Sequence, residues 1–233
     1  MNPITKVVTA FSKRARENRS AIFRGAFSID GDTKILDLGS AAGSNIHLIL
    51  QGSGVNPKNV YIADINSRAV IEGSKRFGFN PVVIRESESL PFSDGFFDIV
   101  YCSSVIEHVT IPKERVWKLY SGVRFREQSR KRQEEFANEI QRLGLQYFVQ
   151  TPYKHFPIES HTWLPFVAWL PRWLLVPVLR VTNVFWVKKT SPDWCLLDIK
   201  EMSQLFDDGQ IVEEKVFGFT KSIMAIKTLN SPR

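Results

Sequence analysis

The sequence predicts an α/β fold, a doubly wound and mostly parallel seven-stranded sheet, on three observations. Apolar strand-like runs alternate with helical patterns from TKILDL (33–38) to the closing KSIMAIK (221–227). The first run is continuously apolar, as expected where both faces of a parallel sheet are covered. A length of 233 residues with 43% hydrophobic and 24% charged content suits one folded domain over 1–233, with length left for an elaboration.

The elements follow in order. Residues 5–24 read as a basic helix ahead of the core, within an N-terminal segment 1–29. TKILDL is the first strand, and SNIHLILQ (44–51) a short helix stopped by Gly52 and Gly54. NVYIADI (59–65) is the second strand. Asn66 or Ser67 caps the next helix, which ends at Gly78. PVVIRE (81–86) and FFDIVYCSS (96–104) are the third and fourth strands. From 112 to 143 the pattern is helical, with Phe136, Ile140 and Leu143 on one face and Gly144 closing the run. LQYFVQ (145–150) is the fifth strand, cut off by Thr151-Pro152. Asp198 and Glu201 fit a capping pair for a helix carrying Ile199, Met202, Leu205 and Phe206. IVEEKVFG (211–218) and KSIMAIK then form a hairpin-like pair.

Between the fifth strand and that last helix lies a Trp- and Pro-rich helical insert, 160–190, with Pro165, Pro171 and Pro177 spaced six apart. The run has the length of a membrane span, but its prolines and arginines argue against spanning. Three uses remain open: a lid shaping an apolar acceptor pocket, an interfacial element, or a homodimer interface. In the second, Trp163, Trp169, Trp173 and Trp186 sit at headgroup level, with Arg172, Arg180, Lys188 and Lys189 on lipid phosphates.

The net charge of +7 is uneven. Residues 1–29 hold six Lys/Arg against Glu17, and residues 113–132 hold eight against Glu114 and Glu127, so the remainder is net acidic. Such patches can meet phosphates, an anionic membrane or an acidic partner, or simply be solvated helix faces. Two cysteines, Cys102 and Cys195, make neither a disulfide framework nor a metal site, and a reduced cytoplasmic setting is expected.

The segment ILDLGSAAGSN places an acid and two close glycines where a buried strand ends. In open α/β sheets, ligands bind beyond the carboxyl ends of the strands. Asp37, Asp64 and Glu86 stand at or near three such ends, which suggests a ligand with hydroxyls, amines or positive charge. Gly39-Ser-Ala-Ala-Gly43 lacks a G-x-G-x-x-G run, so a pyrophosphate cradle is poorly supported. Asp37 and Asp64 could each instead cap the helix that follows.

ILDLGSAAG, VYIADIN and ESESLPFSDGFFDIVYCSSVIEHV resemble the successive motifs of class I S-adenosylmethionine-dependent methyltransferases, in the type 11-like subgroup. The resemblance covers roughly 35–110, and a looser one to a bacterial branch of small methyltransferases continues through NEIQRLGLQYFVQTP, FPIESH and GFTKSIMAIK. It implies a Rossmann-like methyltransferase fold with S-adenosyl-L-methionine as cofactor. By position, Gly39, Ser40 and Gly43 would wrap the methionine part, with Asp37 reaching its amino group. Asp64 would accept both ribose hydroxyls, beside Ile65. Glu86 would meet the adenine amine, Ser87 would offer its backbone N–H to the ring, and Ser103 would lie beside the sulfonium. The family often has a middle glycine where this chain has Ala41, which is tolerated if its φ is negative.

Methyl transfer from a sulfonium mostly needs alignment, with a base only for a hydroxyl or ammonium acceptor. His108 in IEHV is the candidate catalytic base, its alternative being a packed histidine at a helix start. His155 or His161, with Glu159 nearby, is expected to face the acceptor. The histidine spacing does not point to a metal, and none is assigned. The expected acceptor is a small molecule, a lipid-linked compound or a glycan, with peripheral membrane contact through 160–190. A non-catalytic, cofactor-binding membrane adaptor is the rival reading. Nucleic acid is disfavoured, because CSSVIEH stands where the Asn/Asp-Pro-Pro-aromatic signature would be.

Overall fold

The computed structural model describes residues 3–39, 41–85 and 89–229. Its elements are α1 (Pro3–Ala26), β1 (Ile35–Leu38), α2 (Ser44–Ile49), β2 (Val60–Asp64), α3 (Ser67–Phe77), β3 (Asn80–Val83), β4 (Phe97–Ser103), α4 (Lys113–Val116), α5 (Gly122–Leu143), β5 (Gly144–Pro152), α6 (Arg172–Phe185), α7 (Ile199–Leu205), β6 (Gln210–Val216) and β7 (Phe219–Lys227). The strands form one seven-stranded sheet in the order β3-β2-β1-β4-β5-β7-β6. This is the expected mixed α/β sheet. By contacts the chain divides into two compact units, Met1–Leu90 with Phe97–Ile99, and Pro91–Phe96 with Val100–Arg233.

In the first unit β1 and β2 pair in parallel, as do β2 and β3. All four β1 residues are buried, which explains the unbroken apolar run: neither face of this strand meets water. Asn66 caps α3, its side-chain oxygen accepting from the Ala69 N–H at 3.1 Å, and Gly78 ends the helix. One of the two predicted caps is thus selected.

In the second unit β7 runs antiparallel to both β5 and β6. The capping pair before α7 is present in both directions. Asp198 accepts from the Glu201 N–H at 2.9 Å, and Glu201 accepts from the Asp198 N–H at 2.9 Å. β3 of the first unit ends at Val83, short of the expected Glu86, and in the second unit two differences from the sequence reading have a clear local cause. The expected helix 112–143 breaks into α4 and α5, because Ser121 caps a new helix by accepting from the Arg124 N–H. β5 does not stop at Gln150 but pairs with β7 through Pro152. Proline lacks a donor but keeps its carbonyl, so it is tolerated as the final strand residue.

The Trp-rich segment carries α6, with Pro171 as its N-cap and Pro177 inside it. Leu175 and Leu179 pack with Val167, Trp194 and Leu196 in a buried cluster, while Trp173, Val181, Val184 and Phe185 are exposed. Arg172, expected at lipid phosphates, is instead buried. Its Nε donates to the Leu119 carbonyl at 2.7 Å, Nη1 to Pro192 at 2.9 Å and Nη2 to Val116 at 2.6 Å. Its guanidinium lies 3.5 Å from the Phe125 ring centroid, and burial pulls its pKa down to about 10. A planar five-donor fork can serve three carbonyls at once, which an ammonium cannot. Arg180 donates to the Trp117 carbonyl at 2.9 Å, Lys188 donates to the Ser160 carbonyl, and Trp186 Nε1 donates to Thr162 O at 2.8 Å. Of the four basic residues placed at lipid, Arg180 and Lys189 are exposed. No helix among the described residues is long and apolar enough to cross a membrane.

Replacing Arg172 by Met should leave three buried carbonyls without donors, at about 1–3 kcal/mol for each unsatisfied group. We expect a loss of about 3 kcal/mol, read as a melting temperature roughly 6–12 °C lower. Arg172→Lys should recover only part of it.

Candidate active site

The first unit builds a loop behind the end of β1. Asp37 is the third of its four residues rather than the last, and is 3% exposed. Its Oδ2 has no hydrogen-bond partner among the described residues. Burial pushes its pKa well above the usual carboxylate range, and the nearby charge of Asp64 adds to the shift. A buried, half-unsatisfied carboxyl is costly unless a donor reaches it; an ammonium group suits it.

Asp64 ends β2 and shapes the loop. Its Oδ2 accepts from the Ala41 N–H at 2.8 Å and its Oδ1 from the Asn66 N–H at 2.8 Å. Capping of α3 itself belongs to Asn66. Ala41 has φ +50, so the condition under which alanine is tolerated there, a negative φ, is not met. The left-handed conformation costs a non-glycine residue roughly 1–2 kcal/mol, and Asp64 holds it in place.

Two glycines are required by close approach. A Cβ on Gly43 would lie 2.8 Å from Ile62 Cγ2, and one on Gly73 would lie 2.2 Å from the Ala42 carbonyl oxygen. α3 therefore rests directly on the loop. Gly39 fixes the other end, its N–H donating to Ala63 O at 2.7 Å. Ile65 beside Asp64 is exposed. Ser40, Glu86 and Ser87 lie outside the described residues. Of the three predicted acids, Asp37 and Asp64 are brought close enough to interact.

The second unit gathers a different group. Glu107 and His108 sit on a short 3-10 turn, Ile106–His108. Glu107 is fully buried; its Oε2 accepts from the Thr151 hydroxyl at 2.9 Å, and its Oε1 has no hydrogen-bond partner among the described residues. The His108 ring meets the His161 ring edge-on, with centroids 4.7 Å apart. His108 Nδ1 lies 3.6 Å from Asp193 Oδ1. Burial alone would lower the His108 pKa, but Asp193, Glu107 and Glu159 outweigh it and raise the value.

Glu159 is buried and turned toward His161. It accepts from the His161 and Thr162 backbone N–H groups at 2.8 and 2.7 Å, and lies 2.5 Å from His161 Nδ1. Burial alone would raise its pKa, but the His161 contacts and the Thr162 bond bring it below the ordinary value. The Ser103 hydroxyl donates to Gln150 Oε1 at 2.7 Å. His155 stands apart and lines an open groove of about 480 Å³ with Lys154, Trp169, Arg172 and Trp194. A larger concavity of about 880 Å³, lined by Val123, Arg126 and Trp173, contains none of the predicted catalytic, cofactor-binding or acceptor residues.

Glu107, Thr151, Asp193 and Gly73 were not among the predicted residues. Glu107 was visible beside His108 in IEHV. No sequence signal marks Asp193 or Thr151, because each is brought in by the fold.

Residues 36–124 match the family model described as a methyltransferase domain. No curated protein sequence matches the chain significantly. Among solved structures, magnesium protoporphyrin IX methyltransferase from Synechocystis PCC 6803, with bound SAH, is similar at 13% identity and TM-score 0.53, covering 98% of this chain and 89% of that one. A structure from the complex of the Haloferax volcanii Trm112 methyltransferase activator with a methyltransferase is similar at 11% identity and TM-score 0.56, covering 92% and 89%. Sheet order and loop thus define a methyltransferase fold. With the domain match over residues 36–124, the chain resembles a class I S-adenosylmethionine-dependent methyltransferase.

Two substitutions probe whether the loop after β1 binds the cofactor. Asp37's folded pKa is raised, so the native state holds this proton more firmly than the unfolded chain. The stability that proton binding confers is present at acid pH and lost as pH rises through the raised value. Asp37→Asn removes that loss, so the ligand-free variant should melt higher than wild type at neutral pH. Its affinity for S-adenosylhomocysteine should nevertheless fall about 10- to 100-fold, as for a lost charge-assisted bond. Gly73→Ala should push the loop away from α3 and abolish binding while far-UV circular dichroism stays native.

Proposed function

We propose that this methyltransferase acts on a small-molecule, lipid-linked or glycan acceptor, with Asp37, Gly39, Gly43, Asp64 and Ile65 holding the donor. Asp37 carries the reading: a buried carboxylate oxygen lacking a partner, beside a loop held in left-handed geometry. Asp37 would take the amino end of the cofactor and Asp64 the ribose hydroxyls. When bound, S-adenosylmethionine supplies a methyl group on a sulfonium, already activated for displacement. The protein's part is then mainly alignment and exclusion of water.

A lipid-linked acceptor is the finer reading that α6 supports. Trp169, Trp173, Val181, Val184 and Phe185 leave large apolar side chains exposed within one short stretch, a composition suited to the acyl boundary of a bilayer.

Calorimetry with S-adenosylhomocysteine checks the donor reading. At about a hundredfold excess over Kd, binding should add about 2.7 kcal/mol of stability, a rise of roughly 5–11 °C in a melting curve. Absence of heat from the wild-type chain, or undiminished binding in Asp64→Ala, would overturn it. For the acceptor, labelled methyl transfer to lysate fractionated into lipid, polysaccharide, protein and small-molecule pools should mark the lipid pool. Label confined to a water-soluble pool would replace that class.

A further inference from the structure

We propose that Glu107, His108 and His161 form a binding site for one divalent transition-metal ion of the zinc class. Their potential ligand atoms lie within 4.8 Å of one another, and Glu107 Oε1 is 3.8 Å from His161 Nε2. Around a tetrahedral ion with bonds of about 2.0–2.1 Å, ligand atoms stand roughly 3.4 Å apart. Movements of about 1 Å at the side-chain ends would close the cluster.

Each residue is also held from behind. Glu107 Oε2 is fixed by the Thr151 hydroxyl at 2.9 Å. Glu159 Oε1 sits 2.5 Å from His161 Nδ1, and Asp193 Oδ1 sits 3.6 Å from His108 Nδ1. That leaves one carboxylate oxygen and the Nε2 atom of each ring free to bind. Metal-ligating histidines almost always present their second nitrogen to a carboxylate or carbonyl in this way, which sets tautomer and ring plane. The Trp194 ring stacks on His161 at 10° and 5.7 Å, holding that plane further.

Glu107 supplies the independent observation. It is completely buried, and its Oε1 has no hydrogen-bond partner among the described residues. The His161 nitrogen, at 3.8 Å, is too far for a hydrogen bond. A cation between them would satisfy that oxygen. The site has an entrance as well, since the His108 side chain is 37% exposed while Glu107 closes the floor.

Two imidazoles and one carboxylate favour zinc or a neighbouring first-row ion over magnesium or calcium, which prefer oxygen ligands. Three protein ligands also leave a position open, the pattern of catalytic rather than structural zinc sites. In this role His108 gives its lone pair to the ion and is not the free base that the sequence suggested.

The test uses the full-length, tag-free chain stripped with a chelator, titrated with Zn²⁺ by calorimetry and with Co²⁺ by visible absorption. One ion per chain should bind. Glu107→Gln and His161→Asn should each weaken it at least about 100-fold, and Glu159→Gln about 10- to 100-fold, while His155→Ala leaves it unchanged. The more exposed His108→Asn, whose fold is checked by its melting curve, keeps the question decidable if the buried variants do not fold. No uptake by the stripped wild-type chain would overturn the site, as would affinity unchanged in a folded ligand variant. S-adenosylhomocysteine binding measured on the same samples reports the donor loop separately.

Discussion

The loop after β1 depends on one carboxylate held at the end of a strand. Asp64 accepts two backbone N–H groups, one from Ala41 in the loop and one from Asn66 before α3. The first bond secures Ala41 in left-handed geometry, and the second sets the approach of the chain to the Asn66 cap. Gly73 then lets α3 come down onto Ala42 with no side chain between them. Loop, helix and strand are thereby held together by backbone hydrogen bonds and close backbone approach. A backbone so held can present itself to a ligand without first being ordered, which reduces the entropic cost of binding.

Burial raises the pKa of both Asp37 and Glu159, yet the two carboxylates shift in opposite directions. Asp37 is buried with an oxygen lacking a partner among the described residues and with negative charge nearby, so it favours the neutral form. Glu159 is equally enclosed, yet two backbone N–H groups and an imidazole keep it ionised. Glu107 has one oxygen satisfied by Thr151 and the other by nothing described. The difference is the number of donors, not depth. An enclosed acid with an unused oxygen points to a ligand; one that is fully satisfied points to architecture.

Much of the fold was legible in the sequence. The apolar run of β1, the Asn66 cap and the Asp198–Glu201 box are local, and local chemistry decided them. The break between α4 and α5 was missed because apolar periodicity continues through it, and only the Ser121 cap interrupts the helix. The extension of β5 through Pro152 was missed because proline reads as a terminator until the partner strand is known. Arg172 was misplaced for a related reason. An arginine among tryptophans looks interfacial, and nothing nearby reveals the carbonyls of Val116, Leu119 and Pro192 that receive it.

The sequence by itself determined the alternation of strand and helix, the acids and glycines of the loop after β1, and the resemblance to methyltransferases. Those properties reside in short stretches whose period and spacing carry their own physical meaning. The tertiary structure alone decided that Ala41 is left-handed, that Arg172 is internal, and that Glu107, His108 and His161 meet with Thr151, Glu159 and Asp193 behind them. These depend on groups far apart in the chain, and no local pattern encodes which distant carbonyl or carboxylate a side chain will find.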